Sequence, residues 1–319
     1  MQNKNRMDLS YKLNINNQIR LKSNAKINLA LDVVCKRADG YHDLNMIMQT
    51  LLLHDDIYMK KIDANKIKII TNLSYLPVDN KNLVYRAIEV MQQQFDLPGG
   101  IFVEMTKNIP VSAGLGGGSA NCAAALVGMR KLYNLSITNK ELCEIGMKLG
   151  ADVPFLIMQG TALAQGIGER LTKLTPHPYV HVLLAKPNFN VSTPSVFGGI
   201  DIAKLPDNAE KLDQMMKNIK VRDVAGVATL FFNDLEQVTE AKYPIITDIK
   251  KMMIEYGAMN ALMSGSGPTV FGYFKSKAQA IACHKALRTK GIKEVILTGT
   301  YNRRLYNKYS YQRGRYKWK

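Results

Sequence analysis

The sequence predicts an α+β chain built from two domains, and three observations carry that reading. Strand-like and helix-like segments alternate from about residue 20 to about residue 300. A glycine-rich loop opens an alanine-rich helical run in PVSAGLGGGSANCAAAL, residues 110–126. Pro176 and Pro178 interrupt two extended stretches near the middle of the chain, which sets a domain boundary there. The expected units are an N-terminal extension (1–19), an N-terminal domain (20–176), a C-terminal domain (177–300) and a basic, aromatic tail (301–319).

Taken in order, residues 1–20 read as a loose extension. Residues 20–34 alternate as a strand, with Ile27, Leu29, Leu31 and Val33 on one face and Lys26, Asn28, Ala30 and Asp32 on the other. Arg37-Ala38-Asp39-Gly40 reads as a turn, because Asp-Gly readily supplies positive φ. Residues 41–59 are expected to be extended, 82–95 helical and 101–107 a strand. The glycine loop and a helix to about residue 133 follow. Thr138 and Glu141 match a capping box, so a helix starts there and stops at Gly150. Residues 155–166 and 179–186 look extended, and 207–256 mostly helical. Strands at 258–263 and 269–274, a helix at 277–290 and a strand at 295–300 complete a second α/β unit.

Hydrophobic residues make up 46% of the 319-residue chain and charged residues 22%, enough for ordinary globular cores. No apolar run reaches the length of a transmembrane helix, and the polar N-terminus lacks the apolar segment of a secretory signal. Cys35, Cys122, Cys143 and Cys283 form no CxxC pair, which argues against a zinc or redox motif. Scattered thiols fit a reducing, cytoplasmic location. Cys122 stands near a helix start, where a thiolate is favoured, but it reads better as a small buried residue. The formal net charge of +17 suits an anionic substrate such as a nucleotide, without specifying one.

The glycine loop carries the chemistry. Glycines let main-chain N–H groups approach a ligand closely, and a run of them forms an anion nest. The helix behind adds its unpaired N–H groups and its positive dipole end. Ser119 is placed either to cap that helix or to offer a hydroxyl to a metal ion. A P-loop is excluded, because the chain has no Gly-Lys pair. A dinucleotide fingerprint is excluded too, since the sixth position counted from Gly114 is Ser119 rather than glycine.

PVSAGLGGGSANCAAA resembles the phosphate loop of the GHMP kinases. Lys26-Ile27-Asn28-Leu29 and Met263-Ser264-Gly265-Ser266-Gly267-Pro268-Thr269-Val270 are similar to that family's first and last motifs. AKINLALDVVCKRADGYHDL (25–44) and LGADVPF (149–155) are similar to the branch whose acceptor is a cytidine-diphosphate sugar alcohol of the non-mevalonate isoprenoid route. The resemblance covers roughly residues 20–300. It implies a two-domain GHMP kinase fold. The N-terminal α/β domain carries the phosphate loop, the C-terminal α/β domain is ferredoxin-like, and the active site lies in the cleft between them.

The resemblance also implies transfer of the γ-phosphoryl group of ATP to an alcohol, with Mg²⁺ accompanying the nucleotide. Asp152 matches the base. Its place two residues past an expected helix C-terminus disfavours an anion unless a cation faces it. Lys26, alone readable as an exposed strand lysine, matches that cation. Asn82, Lys107, Pro110, Gly114, Leu115, Gly116, Gly117, Gly118, Ser119 and Ala120 match ATP-binding positions. Tyr41 and His42 match residues that recognise cytosine, and Phe197 a ring that stacks on its other side. Asn28, Gly265 and Gly267 complete the implied acceptor site.

Two features depart from the family. Its loop often reads GGGSSDAA, whereas Ala120 and Asn121 stand here at the second serine and the aspartate. If the second hydroxyl helps hold Mg²⁺, that duty passes to Ser119, water or the phosphates, and no dedicated protein ligand is expected. The segment 301–319 interleaves five tyrosines and Trp318 with seven basic residues. A solvated end explains it, as does weak contact with RNA or an anionic surface. Other readings stay open: a GHMP kinase for mevalonate or homoserine, or a low-turnover nucleotide-binding homologue with an RNA-binding tail. A monomer or a homodimer is expected.

Overall fold

The computed structural model describes residues 12–14 and 17–301. Of the expected basic, aromatic tail (301–319), only Tyr301 is described, its N–H donating to the Thr50 carbonyl at 2.8 Å; residues 302–319 lie outside the described residues.

The first described element is a short strand, β1 (Lys12–Asn14), paired antiparallel with the start of β2 (Gln18–Lys36). Regular structure therefore reaches into the stretch expected to be a loose extension. The turn at Arg37–Gly40 forms as expected: Gly40 takes φ 86°, and the Arg37 N–H donates to the Tyr41 carbonyl at 2.8 Å. It delivers β3 (His42–Ile62), which runs back along β2. Then follow β4 (Ile67–Thr71), α1 (Leu83–Gln94), β5 (Gly100–Thr106), α2 (Gly117–Leu132) and α3 (Asn139–Met147). The Thr138–Glu141 capping box is present. After α4 (Val153–Met158) come β6 (Thr161–Gly166) and β7 (Arg170–Lys173).

Two expectations fail in instructive ways. Residues 155–166 are not one extended stretch, because α4 fills the first part. Pro154 sits in its first turn, and Val153, Pro154, Phe155 and Leu156 are buried in succession, so hydrophobic period alone could not separate helix from strand. The single alternation expected along β2 is also broken. Register shifts fall between Asn24 and Lys26, Asn28 and Ala30, and Val33 and Cys35. Ile27, Leu29 and Ala30 therefore pack in one core cluster, while Leu31 and Val33 pack in another. Bulges of this kind re-aim a strand's faces. Here they bracket Lys26 and Asn28.

β3 is long enough to serve two partners, its first half pairing with β6 and its second half with β5. Among the described residues the first sheet has eight strands, with path β1-β2-β3-β5-β4 and side branches to β6, β7 and the later strand β9 (Phe232–Asn233). Helices α1 and α2 cover it through Val84, Ile88, Leu126 and Met129.

The chain continues through β8 (His181–Lys186), α5 (Thr193–Gly198), α6 (Ala209–Val221) and α7 (Val224–Thr229). The two-residue strand β9 (Phe232–Asn233) then returns to pair parallel with β2 at Ala30 and Leu31. After it come α8 (Glu236–Lys242), α9 (Ile245–Glu255), β10 (Ala258–Met263), β11 (Val270–Phe274), α10 (Lys277–Thr289) and β12 (Glu294–Gly299). Strands β8, β10, β11 and β12 form a second, antiparallel sheet in the order β10-β11-β8-β12. That is a ferredoxin-like β-α-β-β-α-β arrangement. Helices α9 and α10 pack on one face of it, and a cluster including Val182, Leu184, Leu262 and Phe271 joins its other face to Ile27 and Leu29 of the first sheet.

Candidate active site

A cavity of about 1000 Å³ lies where the glycine loop, the middle of β2 and the 264–268 turn meet. Lys26 is delivered by β2, and its N–H donates to the Leu115 carbonyl at 3.0 Å, which seats the strand against the loop. Its ammonium donates to Asn28 Oδ1 at 2.8 Å and stands 3.5 Å from Asp152 Oδ2. Lys26 is almost fully buried, whereas the Asp152 side chain is 31% exposed and opens to the cavity. Among the described residues, no hydrogen bond to the Asp152 carboxylate competes with this pair.

The electrostatic reason expected for Asp152 needs correction. It follows α3, but it is also the N-cap residue of α4, without a side-chain cap hydrogen bond. A helix N-terminus favours an anion rather than disfavouring it. Asp152 is thus held near Lys26 by the α3–α4 corner, with both neighbours favourable to its charge.

The glycine loop meets α2 as expected, but Ser119 is not the cap. Gly116 is the N-cap, at φ 69°, and Ser119 sits inside the first turn. Two glycines have compelling reasons. A Cβ at Gly114 (φ 72°) would lie 2.1 Å from the Ser264 carbonyl oxygen, and one at Gly116 would crowd the Lys26 side chain at 3.1 Å. Loop and turn are thus pressed together, with Ser264 Oγ donating to the Gly114 carbonyl at 3.0 Å.

Of the residues singled out in the sequence, Asn82, Lys107, Pro110, Gly117, Gly118 and Ser119 line the cavity alongside Gly114 and Gly116. Leu115 and Ala120 do not. Their side chains point into the core, 1% and 2% exposed, so only their backbone faces the loop. Asn82 caps α1, accepting from the Val84 N–H at 2.9 Å and donating to the Pro77 carbonyl at 2.7 Å. Cys122 is buried, and burial pushes its thiol up to about 12, as its small-residue reading implies.

Of the residues expected to hold the acceptor, Asn28, Tyr41, His42, Phe197 and Gly265 line the same cavity. Gly267 does not. It shapes the turn, at φ 84° with Met263 packed against its α-carbon. His42 and Phe197 stack on each other, ring centroids 5.0 Å apart at 29°. A third ring between them would need roughly twice a stacking gap, about 7 Å, so the face that Phe197 turns to His42 is taken. Tyr41 stands at the rim, 61% exposed. Burial, and then the charge of Lys36, lower the His42 pKa, which keeps its imidazole neutral near pH 7.

Sequence reasoning missed several residues that hold this arrangement. Asn233, on β9, donates to the Met263 and Gly265 carbonyls, each at 2.8 Å, and so pins the second glycine turn. Thr193 Oγ1 and Ser266 Oγ lie 2.8 Å apart, tying the helix that carries Phe197 to the same turn. Asp55 is completely buried beneath Lys107. None carries a local signal, because each acts on a segment distant in sequence.

The comparisons agree with this geometry. The family model described as "GHMP kinases N terminal domain" matches residues 82–160, and "GHMP kinases C terminal" matches 215–293. A protein of Lachnospira eligens named 4-diphosphocytidyl-2-C-methyl-D-erythritol kinase is 50% identical over 284 residues, 89% of this chain and 98% of that one. A protein of the same name from Alkaliphilus oremlandii is 46% identical, covering 89% and 97%. A crystal structure of 4-(cytidine 5'-diphospho)-2C-methyl-D-erythritol kinase superposes with a TM-score of 0.75 at 29% identity, over 88% of this chain and 98% of that one. Likeness of that degree along nearly the whole chain, with the helix behind the glycine loop and the lysine–carboxylate pair opening to one cavity, means that this chain belongs to the GHMP kinase family.

Proposed function

We propose that the protein transfers the γ-phosphoryl group of ATP to a hydroxyl of 4-diphosphocytidyl-2-C-methyl-D-erythritol, giving the 2-phosphate. The observation that carries this reading is one cavity with two kinds of wall. The Lys26–Asp152 pair and the loop amides line one part of it, and Tyr41, His42 and Phe197 line another. The names of the similar proteins supply the acceptor.

In the proposed reaction the acceptor oxygen bonds to the γ-phosphorus, the bond from that phosphorus to the β-bridging oxygen breaks, and ADP leaves. Asp152 takes the hydroxyl proton, having no other hydrogen-bonding duty among the described residues. Lys26, fixed by Asn28, offsets charge that develops on the phosphoryl oxygens. The first amides of α2 and the loop hold the nucleotide's phosphates. Tyr41 stacks on the cytosine, the neutral imidazole of His42 reads its edge, and Phe197 backs His42. Asn82 and Lys107 bound the nucleotide side. Gly265 and Gly267 shape the floor beneath the erythritol.

Mg²⁺ fits as a companion of ATP rather than as a resident ion. Among the described residues no three His, Cys, Asp or Glu side chains converge, and the Asn121 side chain is committed elsewhere. Ser119 is the hydroxyl beside the loop that suits it. When bound, the ion neutralises phosphate charge during transfer. We also assign residues 20–176 and 177–300 to the two functional units, joined through β9. A coupled assay of ADP release tests the reading. Turnover with the diphosphocytidyl erythritol and none with mevalonate or homoserine is expected; preference for either of the latter overturns the acceptor assignment.

A further inference from the structure

A second lysine–carboxylate pair lies under the cavity, away from the Lys26–Asp152 pair. Asp55, on β3, is 0% exposed. One of its oxygens accepts from the Asn108 N–H at 2.7 Å and the Ile109 N–H at 2.8 Å. The other accepts from the Lys107 ammonium and from Asn121 Nδ2, the latter at 2.8 Å. Asn121, on α2, closes the ring: its Oδ1 accepts from Lys107 at 2.8 Å, and its Nδ2 also donates to Ser23 on β2. The Lys107 ammonium then rests 3.5 Å from where a Cβ would project at Gly117, the first residue of α2.

This ring joins four segments: β2, β3, the turn leaving β5, and the first turns of the phosphate-binding helix. An ammonium has three protons. Two are spent on Asp55 and Asn121, and Lys107 lines the cavity. A buried carboxylate with four donors has no capacity left to act as a base. Its effect is geometric.

We infer that Asp55 is a positioning residue of the nucleotide site. It fixes the Lys107 ammonium and the 107–109 turn at a set distance from the α2 amides, so that ammonium and amides meet one polyphosphate together. Asn121 works in the same ring, where an aspartate would set a second carboxylate against Asp55. The inference rests on the reading that ATP phosphates occupy the glycine loop.

The test is a double-mutant cycle on the full chain, read by titration with a fluorescent ATP analogue and by steady-state kinetics with both substrates. Asp55→Asn keeps an acceptor for the two backbone N–H groups and removes the charge that holds Lys107. It is expected to raise the KM for ATP by about 10-fold while leaving the acceptor KM within about 2-fold. In a Lys107→Gln background the same change is expected to add less than about 2-fold, because the residue it positions is already gone. Asn121→Ala, the milder variant should Asp55→Asn fail to fold, is expected to raise the ATP KM by about 3-fold with the same selectivity. Equal rises in both KM values, or effects that multiply in the double variant, overturn the positioning role. Wild-type protein that does not bind the ATP analogue overturns the reading of the site itself.

Discussion

Two lysine–aspartate pairs border the same cavity, and their difference separates chemistry from architecture. Lys26 and Lys107 are equally buried, each side chain about 5–6% exposed. Their partners differ. Asp152 is 31% exposed and faces Lys26 alone, whereas Asp55 is fully enclosed and accepts from four donors. A carboxylate with spare acceptor capacity and an open side can take a proton from a substrate. A saturated one holds other groups still. The contrast yields an ordered set of expectations.

The largest effect belongs to Asp152. Asp152→Ala is expected to lower kcat by about 10³–10⁴-fold with the fold and ATP binding retained, Lys26 keeping its hydrogen bond to Asn28. Full activity would show that Asp152 is not the base. Lys26→Met follows, with a loss of about 10²–10³-fold in kcat, measured under saturating substrates. Asp55→Ala reverses the balance between activity and stability. Urea denaturation should register a loss of about 3 kcal/mol, because the buried Lys107 ammonium and two backbone N–H groups lose their acceptor. A fully stable Asp55→Ala variant would show that the ring is ornamental to the fold.

Smaller effects sharpen the picture at the acceptor wall. Tyr41→Ala or His42→Ala should raise the acceptor KM by about 10-fold and leave the ATP KM unchanged, since stacking on a base contributes about 1–3 kcal/mol. The sign of the pH dependence follows from His42. Its pKa is lowered by burial from 6.5, so the imidazole is neutral above that value and charges only below it. The acceptor KM should stay flat above pH 6.5 and rise at lower pH, and that rise should vanish in His42→Gln. Least of all, Thr138→Ala should cost about 1 kcal/mol of stability through loss of the capping box, with kinetics unaltered.

The features legible in the sequence are those made by neighbours along the chain. The Asp-Gly turn, the capping box of α3, a helix following the glycine loop and the strand at residues 258–263 all appear as read. Backbone sterics and cap hydrogen bonds act over a few residues, so the local letters suffice. Where the letters support two periods they mislead: buried α4 passed for a strand, and its start reversed the electrostatic reason given for Asp152. Lys26, Asn28 and Asp152 were found by their likeness to motifs, and their meeting in space is a matter of geometry.

What the sequence alone determined is the glycine loop, the local turns and caps, and the family to which they point. Tertiary structure decided the rest. Bulges in β2 chose which of its side chains face the cavity. β9 returned to bind the second glycine turn to the first sheet. Asp55 became a buried keystone rather than a surface acid, through partners at positions 107–109 and 121. The physical reason is distance along the chain. A residue's burial and hydrogen-bond partners depend on segments tens of residues away, and no local pattern encodes which of them will arrive.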